Sequence, residues 1–339
     1  MRISQTTLAR RLKLSTATVS KSLRNHPDIN PETRARVLDL AARLDYQVRA
    51  DARVDRRKAK NLRFVGVLAY GGIPDTPADY AAMKYMAGLS AAAETNRASL
   101  VVHHVFGDSR KLLEESGQPE AMRKGILDGL VLIHRFDSNV VRQLASRMPV
   151  VTLVHYVPVA RLDHVDADTQ GAMAQAAQHL TSLGHRKIGF FGFQKELSHS
   201  LVRYSSYVTA MLQFGLPVQQ PIESGGEAQS GAIDWVVEQS RQGVTAWMCG
   251  SDHAGYSLWQ ELSRRGLRVP EDVSITGFDG GPPPMGMTPL TTLRVPFQEM
   301  AAVALSRLVN RIRHPSGPGR QILLECQLVK AHSTGPAKV

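Results

Sequence analysis

Thr7-Leu8-Ala9-Arg10-Arg11-Leu12-Lys13-Leu14-Ser15-Thr16-Ala17-Thr18-Val19-Ser20-Lys21-Ser22-Leu23 decides how this chain begins. The stretch reads as a short helix, a tight turn, and a second helix opened by Ser15 as its N-cap. Val19 and Leu23 sit four residues apart on one face of the second helix, while Thr16, Ala17 and Lys21 occupy another. Leu8, Leu12 and Leu14 supply the apolar surface on which Val19 and Leu23 can close. A third helix is predicted over residues 31–44. Asn30 caps it, Pro31 takes the first helical position, and Val37, Leu40, Ala41 and Leu44 form its apolar stripe. A small all-α unit of this kind buries one face of its second helix and offers the other to a DNA major groove.

Charge supports that reading. Residues 1–60 carry 15 Lys/Arg against 6 Asp/Glu, a net of +9 out of +11 for the whole chain of 339 residues. Concentrating positive charge in one small segment is what phosphate contacts and counterion release require. The remaining residues are close to neutral. No run of 18 apolar residues occurs and the N-terminus has no signal-like apolar core, so a cytoplasmic protein without a membrane span is expected. Cys249 and Cys326 are too far apart for a zinc or redox motif and are read as buried thiols.

From residue 62 the texture changes. Short apolar runs at 64–68, 100–102, 129–133, 150–154, 188–192, 246–249 and 273–278 alternate with helix-patterned stretches at 83–96, 172–183 and 255–265. Buried strands alternating with helices predict parallel sheets covered on both faces, and there are enough strands for two sheets with a cleft between them. Ligands of such folds bind beyond the carboxyl ends of the strands. By that rule the candidate ligand contacts are Tyr70, Tyr80, His134, Arg135, His155, Ser251, Asp252 and Asp279, with Asp279 foremost as an acceptor for hydroxyl groups. No nucleophile elbow, phosphate loop or zinc spacing appears, so neither an enzyme nor a bound cofactor or metal is expected.

Several phrases resemble one family. Ala17-Thr18-Val19-Ser20-Lys21-Ser22-Leu23, Asn30-Pro31-Glu32-Thr33-Arg34-Ala35-Arg36-Val37 and Leu44-Asp45-Tyr46 are similar to the DNA-binding domain of the lactose-repressor (LacI/GalR) family. The stretches at 178–188, 266–279 and 289–293 resemble its effector-binding core, which is like a two-lobed periplasmic sugar-binding protein. The resemblance spans essentially the whole chain. It implies residues 1–47 as a helix-turn-helix domain, 48–61 as a hinge, and 62–339 as an effector-binding and dimerisation core. The first lobe would take about 62–162 and 293–322, the second about 163–292 and 323–339.

Carried over by position, Thr16, Ala17 and Lys21 would approach base edges, while Ser15, Thr18, Ser20, Asn25, Thr33 and Arg34 would hold phosphates. Partners implied are a double-stranded DNA operator, a small-molecule effector of the sugar class, and a second copy of the chain. With no C-terminal leucine heptads, the assembly expected is a homodimer. A regulator answering to a protein partner through a degenerate cleft is the alternative.

The chain departs from the family pattern in three places. Lys13 stands where glycine is usual in the turn. Asp55 stands where a hinge leucine normally wedges into the minor groove, leaving Val54 as substitute wedge and Arg53 as groove contact. In the core, Leu201 aligns with a sugar-clamping arginine, and Val154-His155 with an aspartate after the fourth strand. These losses put a standard monosaccharide in question; His134, Arg135, His155 and His199 instead suggest an acidic or phosphorylated ligand.

Overall fold

A computed structural model describes residues 4–23, 28–44, 63–70, 78–158, 162–195, 197–223 and 229–338. The chain divides into two compact units, Met1–Leu62 and Arg63–Val339.

In the first unit α1 (Gln5–Leu12), α2 (Thr16–Leu23) and α3 (Pro31–Arg43) close around Leu8, Ala9, Val19, Val37 and Ala41. Leu12, Leu14, Leu23, Leu40 and Leu44 pack at the margin of that core. Each start has its cap. Ser4 accepts from the Thr7 amide, Ser15 from the Thr18 amide, and Asn30 from the Glu32 amide. Between α1 and α2, Lys13 adopts φ 54°, ψ 40°, and its N–H donates to the Ala9 and Arg10 carbonyls. The turn that glycine would make without strain is therefore kept, not reshaped.

The second unit builds β1 (Arg63–Tyr70), α4 (Ala78–Asn96), β2 (Ala98–Val105), α5 (Glu120–Arg123), β3 (Gly129–Ile133), α6 (Ser138–Arg147), β4 (Val150–Leu153) and β5 (Asp163–Ala167). It continues through α7 (Thr169–Ser182), β6 (Ile188–Phe193), α8 (Ser198–Gln213), β7 (Ile222–Glu223), α9 (Gln229–Arg241), β8 (Ala246–Cys249), α10 (Asp252–Arg264) and β9 (Ser274–Asp279). The last elements are β10 (Thr291–Arg294), α11 (Phe297–Arg313), β11 (Gln321–Leu324) and β12 (Gln327–Val329).

Among the described residues two six-stranded sheets result, ordered β11-β5-β4-β3-β1-β2 and β12-β10-β9-β8-β6-β7. The first is parallel throughout; the second is parallel except for its edge pair β10–β12. Strands β3, β4 and β8 are buried along their whole length, as strands covered on both faces must be. Helix α11 lies along α4 in the first lobe. Gly88 makes that approach possible, because a Cβ there would come within 2.1 Å of the Gln298 carbonyl oxygen.

The chain passes between lobes after β5, after β10 and after β11. All three differ from the expected division; β11 stays paired with β5 through Leu324, so the last crossing follows 324 and not 322. Asp163–Ala167 pairs with β4 and β11 in the first sheet, so the first crossing follows residue 167 and not 162. Thr291–Arg294 pairs with β9 and β12, so the second sheet keeps residues through 294. The polar start of β5 conceals a buried strand. Asp163 is fully enclosed because Arg307, Arg311 and the Arg320 amide neutralise and bond it, and His164 is satisfied by Thr152. His185 is likewise a bracing group. It lies buried between Thr245, Ser274 and the Gly335 carbonyl, one residue beyond the helix-ending Gly184 at φ 94°. Both cysteines are buried free thiols.

Candidate functional site

On the N-terminal unit, Thr16 and Ala17 are exposed in the first turn of α2. Ser15 Oγ lies 2.8 Å from Thr18 Oγ1 and accepts from the Thr18 amide at 3.0 Å, so this pair shapes the helix start. Val19 is fully buried, which turns the opposite face outward. Lys21 is exposed and forms an ion pair with Asp28 at 3.5 Å. That contact is solvent-accessible and weak, so a phosphate or a guanine edge can replace it. Ser20 and Thr33 are half-buried. Arg34 anchors itself to the start of α3 by donating from Nη2 to the Ile29 carbonyl at 3.2 Å. The candidates Asn25, Arg53 and Val54, with Asp55, lie outside the described residues, as does the side chain of Tyr70.

The cleft of the second unit is built from strand ends. The space there is narrow and is lined by Tyr85, Val154, Asp166, Ala167, Thr169, His199, Val202, Arg203, Phe278, Val295, Phe297 and Met300. Its strongest polar feature is Arg203. The Nη1 group donates to the Gly250 carbonyl, Nη2 donates to Asp279 Oδ1 at 2.8 Å, and the guanidinium lies 4.0 Å above the Phe278 ring. Burial pushes the Asp279 carboxyl up, and Arg203 opposes that shift.

The eight expected ligand contacts divide. Asp279 is held by Arg203 at the cleft. His134 follows β3 with its ring edge-on to Tyr85, and burial depresses its pKa. His155 joins the lobes, its Nδ1 2.9 Å from Ser198 Oγ at the start of α8; burial, then Arg135, lowers its pKa. Tyr80 stands against Phe297, and a Cβ on Gly281 would meet its ring at 3.7 Å. Arg135 is exposed beside His155. Ser251 and Asp252 are engaged elsewhere. Ser251 caps α10 through the Ala254 amide, and buried Asp252 accepts from Thr292 and the Gly281 amide. Burial, and then Asp279, raise Asp252 to about 6.

The cleft also holds side chains the strand-end rule does not select. Arg203, two residues beyond Leu201, projects into the cleft. Leu201 faces solvent, whereas Arg203 shares its face of α8 with buried Tyr207, Ala210 and Met211, four, seven and eight residues on. That helical phase was the available signal. His199, Tyr85 and Asp166 complete the polar lining. Burial drives His199 down to about 3, so it is a neutral imidazole and not a cationic anchor. Among the described residues no group of three or more His, Cys, Asp or Glu is placed to hold a metal ion, and no helix is long and apolar enough to cross a membrane.

A three-helix unit and a two-lobed core with a cleft at strand ends make up the described residues. Residues 177–334 match the periplasmic binding protein-like domain. The ribose operon repressor of Haemophilus influenzae is 27% identical over 326 residues, 94% of each chain. The HTH-type transcriptional repressor CytR of Escherichia coli is 27% identical over 341 residues, covering 96% of this chain and 95% of that protein. The lac repressor dimer bound to operator and the anti-inducer ONPF shares the fold, with TM-score 0.67, 20% identity, and coverage of 99% of this chain and 100% of that one. A CelR–cellobiose complex does so at TM-score 0.66 and 22% identity, covering 98% and 100%. The chain is similar along nearly its whole length to these transcriptional repressors, and its core carries the periplasmic binding protein-like domain.

Proposed function

We propose that this chain is a sequence-specific DNA-binding repressor that works as a homodimer in the cytoplasm and is controlled by a small molecule bound between its core lobes. One observation carries the reading: a single chain joins a Ser15-capped helix with exposed Thr16, Ala17 and Lys21 to a two-lobed core whose cleft presents the Arg203–Asp279 pair. The relatives matched along their whole length are repressors, not enzymes.

Two copies supply two recognition helices for two half-sites of a symmetric operator. Thr16, Ala17 and Lys21 read bases, and Ser15, Thr18, Ser20, Asn25, Thr33 and Arg34 fix register on phosphates. Residues 48–61 act as the hinge; Asp55 at the wedge position makes operator bending weaker than a leucine would. Three crossings join the lobes, so the lobes can rotate about them. The effector shifts that equilibrium only by its different affinity for the open and closed states.

Selecting bound DNA from a random library tests this. The expected product is a two-fold symmetric site whose recovery changes when an effector is added; recovery without sequence enrichment would sink the proposal. On the selected site, Lys21→Ala should cost about 1–3 kcal/mol and relax preference at one position per half-site.

A further inference from the structure

All six strands of the first sheet run parallel, so their amino ends lie together, away from the cleft. At roughly 4.8 Å per strand interval, that end of the lobe is about 24 Å across. The chain enters the core there, at Arg63, shortly after Arg56-Arg57-Lys58-Ala59-Lys60, a run with four cations. Five arginines gather on the end itself. Arg63 opens β1, and its amide donates to the Arg97 carbonyl at 3.1 Å. Arg147 and Arg313 close α6 and α11, and the Arg320 carbonyl accepts from the His164 amide at 2.8 Å.

This positive charge is poorly compensated. Arg97, Arg147, Arg313 and Arg320 are exposed, and none is in an ion pair with a described residue. The carboxylates at this end are fewer. Asp128 accepts from the Phe64 amide and faces Arg63, and Glu94 lies exposed in the last turn of α4. Behind the face, Arg307 and Arg311 share the single carboxylate of Asp163, and Arg307 Nε has no acceptor. Like charges are pressed together as well: burial, and then Arg313, lower the Arg63 pKa. A cation at a helix carboxyl end offsets the helix dipole, which accounts for Arg147 and Arg313. It does not account for Arg97 and Arg320, which lie in connections, or for setting Arg313 near Arg63. Charge is depleted from the centres of protein–protein interfaces, whereas unpaired guanidiniums are what phosphate oxygens bind.

We propose that the amino end of the first lobe is a second DNA surface, on which Arg97, Arg313 and Arg320 contact phosphates flanking the operator without reading sequence. This rests on the DNA-binding reading above. It assigns sequence choice to α2 and part of the electrostatic affinity to the core.

The test is the salt dependence of DNA affinity, measured on the full-length protein by fluorescence anisotropy between about 50 and 200 mM KCl. One duplex carries the selected operator with about 15 flanking base pairs on each side, and a scrambled duplex has the same length. Neutralising Arg97, Arg313 and Arg320 together to Gln should reduce the slope of log affinity against log salt by about 2 or more on both duplexes. Affinity at low salt should fall ten-fold or more, equally on both, so that sequence preference is kept. Arg97→Gln and Arg320→Gln alone, each present twice in a dimer, should lower the slope by about 1–2, which keeps the test open if the triple variant folds poorly. The control removes the same charge from the amino end of the second sheet, across the cleft, through Arg186→Gln, Arg241→Gln and Lys330→Gln, and should leave the slope unchanged. Equal slopes for wild type and the first set of variants would overturn the proposal, as would an equal loss in the control. A changed oligomeric state in sedimentation with unchanged slopes would give the face to a protein contact and overturn it too. Failure of DNA selection, with the slope difference retained on the scrambled duplex, would strike the sequence-specific reading and leave this one standing.

Discussion

Two aspartates bind arginine in this core, one fully buried and one at the cleft, and they do so at opposite ends of their strands. Asp163 opens β5, away from the cleft, and is saturated. Arg307 Nη2 reaches it at 2.9 Å, Arg311 Nη2 at 2.8 Å, and the Arg320 amide donates at 2.8 Å, leaving no exposed surface. Asp279 closes β9 at the cleft, with one arginine and 28% of its side chain exposed. Backbone conformation follows the same division. Five described non-glycine residues have positive φ, and three of them, His134 (67°), Val154 (75°) and Asp279 (125°), sit at or just beyond the carboxyl ends of β3, β4 and β9. At the end where Asp163 lies, the bonding capacity of that carboxylate is spent. The other keeps bonding capacity and strain, which is where a ligand can recover energy.

The sharpest way to break this comparison is to remove each anion and compare the losses. Asp163→Ala strands two guanidiniums in a closed site and should destabilise the core by about 3–5 kcal/mol, read from urea midpoints. A loss under 1 kcal/mol would mean that the saturated end is no more committed than the cleft.

Next in size is a pH effect confined to the cleft side. Burial, and then the neighbouring Asp279, push the Asp252 carboxyl up to about 6, above the usual aspartate value of about 3.9. Its folded pKa is raised, so the stabilisation is fully present below about pH 4 and is lost as pH rises through about 6. Asp279 shifts in the same direction, so the two share the titration. The stability of the wild type relative to Asp252→Asn should therefore fall by roughly 2–3 kcal/mol between pH 4 and pH 7. A flat difference would place Asp252 outside the linkage.

How far these features are legible in sequence follows the same physics. The strands at 129–133 and 246–249 announce themselves because burial on both faces demands uninterrupted apolar residues. The N-terminal unit does so because caps, turn and apolar stripe all act locally. By contrast, Asp163-His164-Val165-Asp166-Ala167 hides a strand, since the carboxylate that opens it is satisfied by residues more than 140 positions away in α11. Arg203 is invisible to a strand-end rule because it projects from a helix, and only the phase of Tyr207, Ala210 and Met211 points it inward. Tyr85, Phe297 and Met300 look like ordinary core until the chain's return through α11 brings them to the cleft.

A third test separates stability from response. Arg203→Gln keeps a donor near Asp279 but loses the charge, and should cost about 1–2 kcal/mol of stability, less than Asp163→Ala. It should abolish the effector's influence on operator binding while leaving effector-free binding within about two-fold. A stability loss as large as that of Asp163→Ala would show that both pairs are structural.

The smallest effect tests where strain is stored. Val154 holds a β-branched side chain at φ 75°, a region that costs such residues on the order of 1–3 kcal/mol, whereas asparagine enters it readily. Its amide still donates to the Val165 carbonyl at 3.0 Å, so the conformation is imposed by strand pairing and persists in a variant. Val154→Asn should therefore raise stability by about 1 kcal/mol, a gain of a few degrees at most in the thermal midpoint. It exchanges an apolar wall for an amide, so the gain should come with weaker binding of any ligand that packs there. A variant that is both more stable and equally responsive would show that the strain at this strand end is incidental to function. A variant that gains stability and loses response would tie the strain to the ligand.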